Sequence, residues 1–331
     1  MSNKKNGTVT FTPEELATTF VRYRTQLLQL PIFALQELLK HTSIRTGIRY
    51  KEVVSQIGGN FEMGNYDDAK LGEDGVTIKG RTFETFFGNC VEPIKPNEIY
   101  QSIWGSDITK GDGLKKVPIT LEVASYIVKK IWENVLMNSF TAKHDSSDKK
   151  STAKWFNGFK TIIDNDIAGT NERREVLISK ELGNLQTGTD SITEQNAEDL
   201  IKDFYWASDE KLRRQKLKLF ISDIGYHHYT EAYQTAHGAL PYNLSYDKKT
   251  LDGASNVEFV PLSFVPKDFM ILTPKNNIFC LFNQKTADEK YLIEKSLKSH
   301  YHVDVIANAF FGTQFEQVDK EMLSVWEKNP S

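Results

Sequence analysis

Cysteine is nearly absent from these 331 residues: only Cys90 and Cys280 occur, far apart and outside any C-x-x-C spacing. That excludes a disulfide framework and a cysteine-built zinc site, and it predicts synthesis in a reducing compartment. No stretch approaches the ~18 consecutive apolar residues of a membrane helix. No apolar run follows Lys4 and Lys5 as it would in a secretory signal. The expectation is a chain that is neither exported by that route nor embedded in a membrane. A surplus of one charge is also missing. The 41 basic and 44 acidic residues leave a net charge of −3, without the basic excess of a dedicated nucleic-acid binder.

The signatures of common chemistry are missing too. The chain contains no G-x-x-x-x-G-K-[ST] phosphate cradle, no G-x-G-x-x-G and no G-x-S-x-G elbow. His227-His228 and the pair His300 and His302 are the best metal candidates, the latter because alternate strand residues share a face. Neither pair has cysteines or carboxylates at companion spacing. Asp164, Asp166 and Glu172 form an acidic cluster on paper, but carboxylates at such spacings are expected in solvated loops. No catalytic, cofactor-binding or metal residue is assigned, and no cofactor is implied. A cytosolic α+β enzyme whose site converges from distant positions is the rival from another functional class.

What is present is a soluble composition, 39% hydrophobic and 26% charged, with 20 Phe, 13 Tyr and 5 Trp. That is more aromatic surface than one core requires, and it is available for packing or assembly. The most regular stretch is 119–140. Pro118 and Thr120 signal a helix start, and Leu121, Ala124, Val128, Ile131 and Val135 fall on one face. Glu122, Lys129, Lys130 and Glu133 fall on the other, where Lys129 and Glu133 can pair. At 1.5 Å per residue this spine is about 33 Å long, enough to cross a domain.

Around the spine the chain changes character several times. Residues 1–50 carry seven basic and three acidic side chains, with a helix opening at Thr12-Pro13-Glu14-Glu15 and a short apolar helix over 32–39. Residues 51–100 reverse the sign, nine acidic against five basic, and 57–90 holds seven glycines and an Asp74-Gly75 turn. Strand material at 76–78 and 82–87 predicts a long thin β excursion, closed by Pro93 and Pro96, with a hairpin folded back on its own domain as the alternative. Such a ribbon is marginal in water by itself and is expected to add little to the core of its own subunit. Residues 141–154 are polar and low in complexity, an exposed loop or boundary. Ser191 to Glu194 has the capping-box pattern of a helix running through Tyr205. The pattern then predicts a strand at 217–222, a helix from Asp223 to His237 ended by Gly238, and strands at 257–262, 269–273 and 278–282. A final strand pair is expected at 291–297 and 301–311.

Three C-terminal stretches carry a resemblance: Asn256-Val257-Glu258-Phe259-Val260-Pro261-Leu262, 268–278 with its Thr273-Pro274-Lys275-Asn276-Asn277 turn, and 307–314 with Phe310-Phe311-Gly312. Together with the order of parts over 50–328, they resemble the major capsid proteins of tailed bacteriophages. The resemblance implies an α+β, Hong Kong 97-like fold with an N-terminal arm (1–50), an extended loop (51–104), a peripheral domain with the spine helix (105–154), an axial domain (155–265) and closing strands (266–331). It implies a structural subunit, not an enzyme, that assembles as pentamers and hexamers into an icosahedral shell around a phage genome, built in the bacterial host cytoplasm and located in the virion capsid. A separate scaffolding protein, a portal and decoration proteins are the implied partners, with only weak DNA contacts and no membrane. An encapsulin-type cellular shell is the nearer alternative. Lys70 and Lys79 lie in the loop where some members crosslink, but no partner asparagine or acid is identifiable, so no crosslink is carried over.

Overall fold

The computed structural model describes residues 35–58, 77–95, 119–238, 249–283, 290–296 and 302–329. The helix expected from Thr12, the Asp74-Gly75 turn, Lys70 and His300 lie outside them. Helix α1 (Gln36–Leu39) leads to strand β1 (Ser43–Thr46). Strands β2 (Lys51–Gly58) and β3 (Thr77–Glu84) form an antiparallel ribbon, in register from Lys51 opposite Glu84 to Gly58 opposite Thr77. After Thr85 comes β4 (Phe86–Ile94), then the long helix α2 (Ile119–Asn138), α3 (Phe159–Ala168), β5 (Leu185–Gly188), α4 (Ala197–Ala207) and α5 (Glu210–Arg213). The remainder is β6 (Leu217–Ser222), α6 (Asp223–His237), β7 (Thr250–Leu251), β8 (Ala254–Leu262), β9 (Phe269–Pro274), β10 (Ile278–Phe282), β11 (Lys290–Lys295), β12 (Val303–Phe315) and β13 (Ser324–Lys328). Two compact units divide the chain, the first holding Phe87–Leu136 and Gln284–Phe310, the second Leu38–Phe86, Met137–Asn283 and Phe311–Ser331.

In the first unit β11 pairs antiparallel with β12, Lys290 opposite Asn308 through Lys295 opposite Val303, and β4 also pairs with β12. Strand β4 runs through Pro93 instead of stopping there. Among the described strands it pairs with β12 alone, and an open edge tolerates a residue without an N–H. Helix α2 buries Val128, Trp132, Val135 and Leu136, and the Trp132 indole N–H donates to the Tyr291 hydroxyl at 3.1 Å. The buried stripe is thus centred on Trp132, while Ile131, expected at its middle, is half-buried. The polar face carries the expected ion pair in a tighter variant, Lys130 to Glu133 at 2.6 Å against 3.9 Å for Lys129.

The second unit is built on a six-stranded sheet in the order β5-β13-β9-β6-β8-β7. Central β6 runs parallel to β8 and antiparallel to β9, with α6 in the connection between β6 and β8. Alternation does the work expected of a strand. Leu217, Leu219 and Ile221 share a core with Ile201, Phe204 and Leu212, while Phe220 stands 6.2 Å from the Phe140 ring. Helix α6 begins where Ser222 Oγ accepts from the Gly225 N–H and ends at Gly238 with φ of +67°, a left-handed conformation that glycine adopts without strain.

The capping box at 191–194 is corrected. Helix α4 starts at Ala197, the Ser191 hydroxyl accepts instead from Lys328 Nζ at 2.9 Å, and Asn196 Oδ1 accepts from the Thr193 N–H at 2.8 Å. A local turn around Asn196 competes successfully with the box. The polar 141–154 stretch folds back on itself through Lys143 N–H to Ala153 O and Asp145 N–H to Lys154 O, both 2.9 Å. Beyond it, the first amides of α3 donate to carbonyls just past the end of α2, Phe159 to Ser139 at 3.0 Å and Lys160 to Phe140 at 2.9 Å. These bonds satisfy groups that helix ends leave orphaned. A Cβ on Gly158 would lie 2.5 Å from the Phe140 carbonyl, so this junction requires glycine.

Candidate assembly site at the root of the ribbon

Within the second unit, the described contacts that tie the β2–β3 ribbon to its own body all fall between 45 and 54 and between 80 and 85. Phe83 is fully buried and packs with Ile48, Leu281, Val54 and Phe279. The Arg45 guanidinium sits 5.1 Å from the centre of the Phe83 ring and pairs with Glu52 at 2.7 Å. Thr85 donates its N–H to Tyr50 O at 2.7 Å and its hydroxyl to Ile48 O at 3.2 Å. The expectation that the ribbon adds little to its own subunit is corrected for this root. One aromatic of β3 is a core residue, because a ribbon otherwise marginal in water has to be anchored somewhere. On β2, Val53 is 66% exposed and Ser55 is exposed.

Arg81 is the centre of the root. Its Nη2 donates to Asp166 Oδ2 at 2.7 Å and, with Nε, to Gln314 Oε1 at 3.0 and 3.3 Å. Gln314 in turn donates from Nε2 to Thr82 O at 2.9 Å. Asp166 accepts a further bond from Asn171 Nδ2 at 2.9 Å, and its side chain is 2% exposed against 13% for Arg81. A carboxylate this buried needs its charge and lone pairs met, and these two donors meet them.

The loop after α3 grips both strands of the ribbon. Gly169, with φ of +65°, ends the helix, and Asn171 Oδ1 accepts from the Arg173 and Glu175 amides at 3.1 and 3.3 Å. That turn presents Arg173 to the Gly80 carbonyl and Glu172 to Lys51 Nζ, the latter at 2.7 Å. Burial works to raise the Glu172 carboxyl, but hydrogen bonds from Lys51 and Thr82 outweigh it and leave it below its ordinary range. A third contact is steric: a Cβ on Gly312 would meet Glu84 O at 2.2 Å, so β12 passes directly against the ribbon backbone. A cleft of about 120 Å³ remains between Gly80, Asn157, Asn165, Asn171 and Thr313.

The acidic cluster divides accordingly. Asp164 is an exposed partner of Lys160 at 2.6 Å, whereas Asp166 and Glu172 hold the ribbon instead of lying free in a solvated loop. Arg81, Asn171 and Gln314 carry no local sequence signal, since Arg81 finds its partners 85 and 233 positions away. His227 and His228 are neighbours on α6 with ring centres 6.1 Å apart, and His228 lies 3.7 Å from Glu194. Among the described residues no group of three His, Cys, Asp or Glu converges. Cys280 is fully buried, and loss of solvent pushes its thiol up to about 12. No described helix is long and apolar enough to cross a membrane.

No protein-family model and no curated protein sequence matches the chain. Solved structures do. A chain of the satellite phage P4 procapsid that includes the size determination (Sid) protein superimposes with a TM-score of 0.59 at 13% identity, over 92% of this chain and 90% of that one. A chain from the capsid of the native GTA particle gives 0.59 at 12% identity, over 89% and 90%. One from the capsid of cyanophage A-1(L) gives 0.57 at 13%, over 91% and 92%. The chain therefore has the α+β fold of tailed-phage capsid proteins, the Hong Kong 97-like fold that its C-terminal stretches resemble.

Proposed function

We propose that the chain is a structural shell subunit, a major capsid protein that assembles with copies of itself into an icosahedral shell enclosing a tailed-phage genome. The observation that carries this is fold agreement over about nine-tenths of both chains with three capsid structures. The ribbon adds physical support. It is anchored at its root while Val53 stays 66% exposed, an arrangement that a lone monomer gains little from and that a closed symmetric shell covers with a neighbouring subunit. In this assignment residues 1–50 are the arm, 51–104 the extended loop, 105–154 and 266–331 the peripheral domain, and 155–265 the axial domain. Pentamers and hexamers are the building blocks. A separate scaffolding protein, a portal and decoration proteins are proposed partners, with assembly in the bacterial cytoplasm. A subunit of net charge −3 holds packaged DNA weakly, through Lys4, Lys5, Arg22 and Arg24. Light scattering on the purified protein, alone and with its scaffold, tests the proposal. Masses of five or six subunits, or of whole shells, are expected, and a strict monomer that turns over a small substrate would sink it.

A further inference from the structure

The contacts around Arg81 do more than bury charge. Those described lie at Lys51 to Val54 and Gly80 to Glu84, and three different parts of the body converge on them: the end of α3, the loop at 171–173, and the end of β12. From the Val54–Arg81 pair to the Gly58–Thr77 pair is four residues, or about 13 Å of strand. A tilt of about 15° at the root would displace that outer end by about 3 Å, more than a hydrogen bond tolerates. An extension that meets a neighbour through its outer part thus needs its direction fixed at the root. A hydrophobic anchor such as Phe83 resists withdrawal but is non-directional. A planar guanidinium forked between a buried carboxylate and an amide is directional.

We propose that Arg81, held by Asp166 and Gln314, is a positioning residue: a latch that fixes the direction in which the ribbon leaves its subunit, so that the ribbon is presented to a neighbouring copy in one orientation. This rests on the shell-subunit assignment for its consequence but not for its mechanism, which is a property of the isolated chain. Asn171 belongs to the latch because the same side chain binds Asp166 and shapes the loop that carries Arg173 to Gly80 O.

The test replaces both ion-pair partners, Arg81→Gln with Asp166→Asn, so that no buried charge is stranded and the fold is retained. Spin labels at Ser55→Cys on the ribbon and Ser263→Cys on the body, with Cys90→Ser and the fully buried Cys280 left in place, report the ribbon-to-body distance in unassembled subunits. The parent pair should give one narrow distance population, and the double variant one several-fold broader with cooperative melting kept. Its critical concentration for shell assembly should rise roughly tenfold, the equivalent of about 1.4 kcal/mol per subunit. A distribution as narrow as the parent's overturns the latch. If the double variant does not fold, Arg81→Lys decides: it keeps the charge, loses the fork to Gln314, and should broaden the distances part-way, whereas an unchanged distribution again overturns the proposal. A parent that never assembles refutes the shell assignment, while the distance comparison still decides the latch.

Discussion

Asp166 and Arg81 show why a buried ion pair has to be judged by what remains when one partner is removed. Arg81→Gln alone leaves the Asp166 carboxylate, 2% exposed, with Asn171 as its remaining side-chain donor, at an expected cost of about 3–5 kcal/mol. Adding Asp166→Asn removes the stranded charge and should recover most of that loss, so urea titrations should place the double variant above the single one in stability. The reverse order would show that Asp166 is met by other groups. His41 makes a second residue-scale case. Burial, then Lys218, with Lys40 and Lys275 adding to it and Glu258 opposing, lowers its imidazole to about 4, with the Glu258 carboxylate 3.7 Å away. The unfolded chain holds His at 6.5 and so binds more protons between those values. Stability should therefore fall as the pH drops from about 6.5 through about 4, by up to about 3 kcal/mol, and level off below. His41→Gln should remove that portion of the slope; equal pH dependence in parent and variant would contradict it. Asp166 was visible in the sequence as an acidic residue, but its partner Arg81 and the setting of His41 were not legible, because these environments are assembled from segments far apart in sequence.

At the scale of elements, periodicity and punctuation were the legible signals. Helix α6 falls at Asp223–His237 with its Gly238 stop, and β6 and β10 fall where alternation and turn residues place them, because each is specified within its own few residues. The short strands β1, β5 and β13 carry too few residues to show a period and exist through their partners, β5 lying parallel to β13 and β1 parallel to β10. Strand β12 continues to Phe315, past the expected end near 311, because β10 pairs with Phe311 to Phe315. The Phe310-Phe311-Gly312 stretch acquires a physical reason there. Gly312→Ala would drive a methyl into Glu84 O, backbone against backbone, and neither partner is a flexible side chain that can yield. A loss of about 1–3 kcal/mol or more is expected from chemical denaturation. A variant as stable as the parent would mean that the ribbon root does not lie on β12 as described.

For the whole molecule, the central claim is that copies of this chain close into a shell and that the extended loop is needed for closure but not for folding. The buried Phe83 and the Arg81 contacts confine the dispensable part to residues 59–76, between the two strands, narrower than the 51–104 extended loop. Residues 59–76 carry Glu62, Asp67, Asp68, Glu73 and Asp74 against Lys70 alone, a charge bias that favours a basic partner surface, with the arm of an adjacent subunit one candidate. The most direct measurement is electron microscopy, at raised concentration, of the parent beside a variant in which 59–76 is replaced by a short Gly/Ser linker, both first shown to melt cooperatively. The parent should form closed shells and the variant, equally folded, should not. Shells that form equally well without the segment, or a parent that yields only dispersed monomers, would contradict the account.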